Sequence, residues 1–157
     1  MLQILLPTLE DTLNFGYLLG EHLPSGSTLL LFGNLGAGKT TLVQGIGKGL
    51  GIKDAILSPT FNLIHEYLDG RIPLYHLDLY RLEPSGVNSL YPEMYWEGIE
   101  VDPGITAIEW SQRLPTLPDN YIKLELSDFG ESRKANLKTY GKTPDLKFIQ
   151  NFLPFAR

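Results

Sequence analysis

The chain has 157 residues, 43% of them hydrophobic, which suits one globular domain over 1–157 with a sizeable core. Eighteen acidic against thirteen basic residues give a formal net charge of −5, which argues against a wide basic surface for nucleic acid. With no cysteine, disulfides, thiolate metal sites and cysteine nucleophiles are excluded together. The first residues carry no basic region and meet Pro7 and Glu10 too soon for a secretory leader. No apolar run has the length of a bilayer span, so a soluble, cytoplasmic protein with no membrane partner is the expectation.

Gln3 to Leu6 reads as a short strand. Thr8 stands three residues before Asp11, the spacing of a helix-capping box. Phe15, Leu18, Leu19 and Leu23 follow at helical spacing and predict a helix to about His22. Pro24-Ser25-Gly26 ends it and leads into Thr28 to Phe32, an apolar run of strand length.

Directly after that strand comes Gly33-Asn34-Leu35-Gly36-Ala37-Gly38-Lys39-Thr40-Thr41, which fits G-x-x-x-x-G-K-[ST] at every fixed position. The glycines allow backbone N–H groups to approach phosphate oxygens. Lys39 is spaced to reach the β and γ phosphates, and the Thr40 hydroxyl to bind the accompanying Mg²⁺. Leu42, Val43, Ile46 and Leu50 recur at helical spacing, so a helix starting near Lys39 would aim its positive end at the same oxygens. The candidate ATP/ADP-binding residues are therefore Asn34, Leu35, Gly36, Ala37, Gly38, Lys39, Thr40 and Thr41. A glycine-rich turn that imitates the motif is the bland alternative, and the strand before and the helix after both disfavour it. Gly45, Gly47 and Gly49 each cost that helix about 1 kcal/mol relative to Ala, a cost that close packing against the sheet would explain.

Ala55 to Thr60 reads as a loop, because Pro59 biases Ser58 toward extended geometry. Ser58 and Thr60 offer hydroxyls that could sense a γ-phosphate in a switch-like loop, with a plain turn as the alternative. Phe61, Leu63, His65 and Tyr67 alternate with more polar residues, Asp69-Gly70 signals a hairpin turn, and Ile72 to Leu79 is the returning strand. Arg81 to Pro103 has no clean period and suggests short helical turns. Gly104 to Glu109 is an apolar strand ending in a carboxylate. Tyr121 to Leu126 and Arg133 to Tyr140 suggest a C-terminal antiparallel hairpin joined around Asp128 to Glu131. The tail places Leu146, Phe148, Ile149, Phe152, Leu153 and Phe155 nearly all round a short helix, to be buried or covered by a partner.

A phosphate-loop enzyme needs a carboxylate at a neighbouring strand end to hold Mg²⁺ or its waters, or to orient the attacking water. Glu109 and Asp78 are the two candidates. Period two puts His76 and Asp78 on one strand face. The alternatives are a solvated strand end for Glu109 and an ion pair, for instance to Arg81, for Asp78. A transition-metal pair of His76 with Asp78 is weaker where the loop already calls for magnesium. Trp110 reads as a packing residue beside the site. Guanine recognition by an Asn-Lys-x-Asp segment is missing, and the chain has only Arg71, Arg81, Arg113, Arg133 and Arg157, with no cluster expected. ATP hydrolysis therefore ranks above GTP hydrolysis and small-molecule phosphorylation, with a non-hydrolysing nucleotide switch as a further alternative.

Taken together, GNLGAGKTTLVQGI, LSPTFNLIHEY, LYHLDLYRL and AIEW, in this order, resemble the bacterial tRNA threonylcarbamoyladenosine biosynthesis ATPase family, known as TsaE or YjeE. The resemblance runs from about Thr12 to Pro118 and is looser in the C-terminal hairpin. It implies a P-loop NTPase-like, three-layer α/β fold with a central mixed sheet. It also implies ATP hydrolysis with Mg²⁺ in support of threonylcarbamoyl transfer to tRNA. The partners it implies are the proteins of the threonylcarbamoyl-transferase complex, with tRNA met indirectly through them. By position, Gly36, Gly38, Lys39 and Thr40, with Thr41 adjoining, match the family's nucleotide loop. Asp78 matches the acid of its H-x-D-L-Y-R-L stretch, Glu109 with Trp110 its E-W pair, and Ser58, Pro59 and Thr60 its switch-like loop. In that pair the Glu is associated with Mg²⁺, so the resemblance implies Glu109 with Thr40 for the metal. Three departures stand out: Asn34 where Asp is usual, Ser111-Gln112 where an acidic pair is frequent, and an aromatic, acidic stretch from Tyr91 to Asp102.

Overall fold

In a computed structural model that describes residues 1–34, 36–57 and 63–152, seven strands hydrogen-bond into one mixed sheet. They are β1 (Leu2–Leu6), β2 (Thr28–Phe32), β3 (Ile64–Tyr67), β4 (Leu74–Asp78), β5 (Ile105–Glu109), β6 (Tyr121–Phe129) and β7 (Ser132–Tyr140). Their order across the sheet is β1-β7-β6-β2-β5-β4-β3. The strands β6, β2, β5 and β4 run parallel; β3 pairs antiparallel with β4 on one side, and on the other β7 pairs antiparallel with β6 and β1 antiparallel with β7. The carboxyl ends of β2, β4 and β5 consequently open on the same edge, the edge at which open α/β sheets receive ligands.

Alternation sorts the strand residues between two cores. Leu29, Leu31, Ile105, Ala107, Leu124 and Leu137 pack beneath two long helices, α1 (Leu9–His22) and α2 (Lys39–Leu50). Leu30, Tyr75, Leu77 and Ile108 face the other side, where the one-turn helices α3 (Pro84–Asn88) and α4 (Glu93–Glu97) contribute Val87 and Tyr95. The aperiodic stretch thus forms short helical turns, as its pattern suggests.

Helix α1 begins with the capping box read from Thr8 and Asp11: the Thr8 N–H donates to Asp11 Oδ2 at 2.9 Å, and the Asp11 N–H to Thr8 Oγ1 at 3.2 Å. Its far end is held by Arg71, whose Nη2 donates to Gly20 O at 2.7 Å, a cation on the carbonyl end of a helix dipole. The glycines of α2 have a different cause from the one expected. A Cβ on Gly45 would lie 2.1 Å from Leu13 O and one on Gly49 2.2 Å from Tyr17 O, so these glycines let α2 approach the backbone of α1. Gly47 makes room for Ile56, whose Cδ1 would be 1.9 Å from an added Cβ.

Three other expectations hold with different extents. The hairpin expected around Asp69-Gly70 forms between β3 and β4, but its connection is longer than a two-residue turn: Tyr67 pairs with Leu74, so it spans 68–73, and Asp69 Oδ2 accepts from the Lys53 N–H. The C-terminal hairpin is longer than read, pairing Phe129 with Ser132 across a two-residue turn at Gly130-Glu131. Of the tail, Lys147–Asn151 forms a short 3-10 helix with Ile149 buried in the chain's own core, the first of the two alternatives, while Leu153 and Phe155 lie outside the described residues. Phe152 meets Phe15 edge-on at 5.3 Å and Phe148 stacks on His22 at 4.7 Å, both on α1.

Candidate functional site

The segment joining β2 to α2 turns on glycines in the left-handed region. Gly36 has φ 82° and Gly38, the N-cap of α2, has φ 103°, where a Cβ would be strained. Asn34 O accepts the Ala37 N–H at 2.9 Å and shapes the turn, and neither residue lines the cleft beyond it. Gly38 supplies no side-chain cap, and the first turn of α2 holds no acid. The leading N–H groups of a helix have no intrahelical partner, so this end is electropositive and suited to an anion.

A cleft of about 420 Å³ opens there. Gly36, Gly38, Lys39, Thr40 and Thr41 form one wall, and Asp78, Glu109 and Trp110 another. Lys39 is buried; its Nζ donates to Gly33 O at 2.7 Å and lies 3.9 Å from the centre of the Trp110 ring. Burial pushes the Lys39 pKa below the ordinary lysine value, and the carboxylates of Glu109 and Asp78 oppose that shift. A buried ammonium answered by one carbonyl and a ring face still gains from an oxyanion.

Glu109 closes β5 as a buried carboxylate. Thr40 Oγ1 lies 3.2 Å from its Oε2, and His76 Nε2 lies 2.5 Å from the same oxygen. Asp78 and Glu109 are register partners on adjacent parallel strands, so both acids leave the sheet on the helix side. Asp78 Oδ1 accepts the Tyr80 N–H at 3.0 Å, an arrangement local to the strand end. In place of the zinc pairing, His76 turns its Nε2 to Glu109, and its Nδ1 is buried with no hydrogen-bond partner.

Trp110 does more than pack. It adopts the left-handed conformation, φ 59° and ψ 44°, costly for a residue of its size, and this places its ring over Lys39 and 4.7 Å from Tyr80. Of the residues singled out from sequence, Gly36, Gly38, Lys39, Thr40, Thr41, Asp78, Glu109 and Trp110 meet in the one cleft. Leu35, Ser58 and Thr60 lie outside the described residues.

Sequence reasoning missed Arg133 and undervalued Arg81, which join the same cleft from β7 and from the turn that follows β4. Arg133 Nη2 donates to Gly36 O at 2.9 Å. Alternation carried a signal: Arg133 shares a strand face with Ala135 and Leu137, which are buried under the helices. A cation on the inward phase of a strand marks a site or an ion pair.

A family model described as threonylcarbamoyl adenosine biosynthesis protein TsaE matches residues 6–135. The chain belongs to the TsaE family. Relatives carrying the name tRNA threonylcarbamoyladenosine biosynthesis protein TsaE include one from a Nostoc species, 60% identical over 91% of this chain and 89% of the relative. Another, from Bacillus subtilis, is 36% identical over 80% of this chain and 77% of its own. The fold agrees: a crystal structure titled Bacillus subtilus YdiB superposes with a TM-score of 0.73 at 30% identity, covering 89% of this chain and 86% of that one. The TsaE match spans every residue that lines the cleft, from Leu9 to Arg133. Among the described residues no helix is long and apolar enough to cross a membrane.

Proposed function

We propose that this TsaE protein binds ATP and ADP with Mg²⁺ in the cleft and hydrolyses ATP in support of threonylcarbamoyl transfer to tRNA. One observation carries the reading: a buried lysine, a hydroxyl and two carboxylates converge at a helix end whose N–H groups lack a cap. Thr40 Oγ1 and the Glu109 carboxylate are hard oxygen donors 3.2 Å apart, the donor class that magnesium takes alongside nucleotide phosphates. Magnesium held there supplies neutralisation of the charge that develops on the transferring phosphoryl group.

The remaining work falls to the chain's own groups. The first turn of α2 binds the phosphates through its N–H groups, and Lys39 exchanges Gly33 O for a phosphate oxygen. Glu109, steadied by His76, gives up its contact with Thr40 so that both can serve the cation. Asp78 holds the attacking water in line and accepts its proton as the phosphoryl group departs. Trp110 and Tyr80 exclude bulk water from the phosphate end of the cleft. Ser58 and Thr60 answer the γ-phosphate from their loop.

The transferase proteins are the proposed partners, and tRNA reaches the protein through them; the cytoplasm, where tRNA is modified, is the proposed location. Turnover in isolation should be slow, with the complex completing the site. The test is phosphate release from ATP by the full chain, alone and with the transferase proteins and tRNA. Release of free phosphate that rises with the partners is expected. Transfer to a small acceptor in place of free phosphate, a reading that Arg81 and Arg133 at the cleft favour, would replace hydrolysis by kinase chemistry. Nucleotide binding with no release under any condition would leave a switch.

A further inference from the structure

Between β4 and β5, residues 84–103 contain Glu93, Glu97, Glu100 and Asp102 and not one Lys, Arg or His. Four acids and no base make this stretch −4, against −5 for the whole chain. Its inward side is ordinary core: Val87 and Tyr95 are buried against the sheet. Its outward side is not an ordinary surface. Tyr91 is 67% exposed and Ile99 83% exposed, and with Met94 they flank a cavity of about 470 Å³. Glu93, Glu97 and Glu100 line the same cavity. Among the described residues no three metal-ligating groups come together, so these carboxylates form a rim and not a cage.

An apolar centre with a charged rim is the anatomy of a protein interface. The sign of the rim selects the occupant, because it repels nucleic-acid phosphates and anionic lipid and attracts Lys and Arg. We propose that the cleft between Tyr91, Met94 and Ile99 docks a protein partner that inserts an apolar side chain and surrounds it with basic residues. The proposal rests on the partner reading above, the transferase proteins being the bearers of that basic face. The docking cleft shares no residue with the nucleotide cleft, so the two functions are separable by substitution.

The experiment titrates the full chain with the reconstituted transferase proteins, in the presence of a non-hydrolysable ATP analogue, at two salt concentrations. Three variants are compared with wild type: Ile99→Lys, the pair Glu93→Lys with Glu97→Lys, and Glu21→Lys at an exposed position of α1 as a charge control. Ile99→Lys and the acidic pair should each weaken docking by about tenfold or more, the loss typical of an interface anchor. The acidic pair should also flatten the salt dependence. Glu21→Lys should bind within about twofold of wild type, and ADP affinity should hold in all three. If wild type binds and the patch variants bind equally, this surface is wrong and the partner reading stands. If wild type does not bind the transferase proteins, both fall. If the patch variants instead abolish a dimer seen by sedimentation, the occupant is a second copy and the proposal is overturned.

Discussion

His76 and Glu109 meet in the sheet's interior edge, Nε2 2.5 Å from Oε2, with the imidazole fully buried and the same carboxylate oxygen 3.2 Å from Thr40. Glu109 therefore sits between a group that steadies it and one with which it would share a cation. Outer partners of this kind are typically worth 10–100-fold in metal affinity or activity. His76→Ala should raise the magnesium concentration needed for half-maximal phosphate release by about that factor. Glu109→Gln should cost turnover at least about a hundredfold, and Asp78→Asn most of it, with ADP affinity little changed in either. Equal phosphate release by the two acid variants and wild type would return these carboxylates to structure.

Lys39→Ala tests the loop itself. Removing a charge-assisted contact should cost about 1.5–3 kcal/mol, roughly ten- to hundredfold in affinity for ATP and ADP. Calorimetric titration measures it directly, and an unchanged affinity contradicts the phosphate-loop reading.

Trp110 provides an optical handle, since the Lys39 ammonium lies 3.9 Å from its ring. When Lys39 turns to a phosphate oxygen, the field on the indole changes. In a Trp96→Phe background, ADP with magnesium should shift or quench the emission in a saturable way. No change at a nucleotide concentration that calorimetry shows to be saturating would mean that Lys39 stays on Gly33 and Trp110.

Helix–helix contact decides the fate of Gly49→Ala. Alanine would gain α2 about 1 kcal/mol of helix propensity. The added Cβ would stand 2.2 Å from Tyr17 O, a backbone atom that cannot move without its helix. Overpacking of this sort costs typically about 1–3 kcal/mol, so chemical denaturation should show net destabilisation. A more stable variant would show that α1 and α2 separate freely.

Alkaline pH should act through Tyr75 and Tyr95. Burial raises both phenols above their ordinary value, and the Glu66 carboxylate adds to each. Tyr75 Oη donates to Asp102 O at 2.6 Å and Tyr95 Oη to Glu66 Oε2 at 3.2 Å. Above pH about 10 the unfolded chain loses these protons first, binds fewer than the native state, and stability falls as pH rises. Below that range both states hold the protons and the contribution is intact. Denaturation midpoints from pH 8 to 11 should fall at the top of the range, and less steeply in Tyr75→Phe.

Local chemistry made much of this protein legible from its residues. Thr8 with Asp11 announced the start of α1, the residues on either side of Gly33 to Thr41 announced the strand β2 and the helix α2, and alternation put His76 and Asp78 on one face. Those features, read as local pattern alone, act within a few residues of one another, where backbone geometry sets what meets what. Asp69-Gly70 marked the β3/β4 hairpin but not its register: Tyr67 pairs with Leu74, and strand register is chosen by the core and not by the turn dipeptide. The glycines of α2 were visible, yet their partner was α1 and not the sheet, a fact that resides in the packing of two helices. Above all, Arg133 reaches Gly36 across 97 positions, and His76 reaches Glu109 across 33. Such contacts follow from the order β7-β6-β2-β5-β4, which places distant strands side by side. Spacing along the chain carries no record of that order, because strand neighbours are selected by the burial of whole faces.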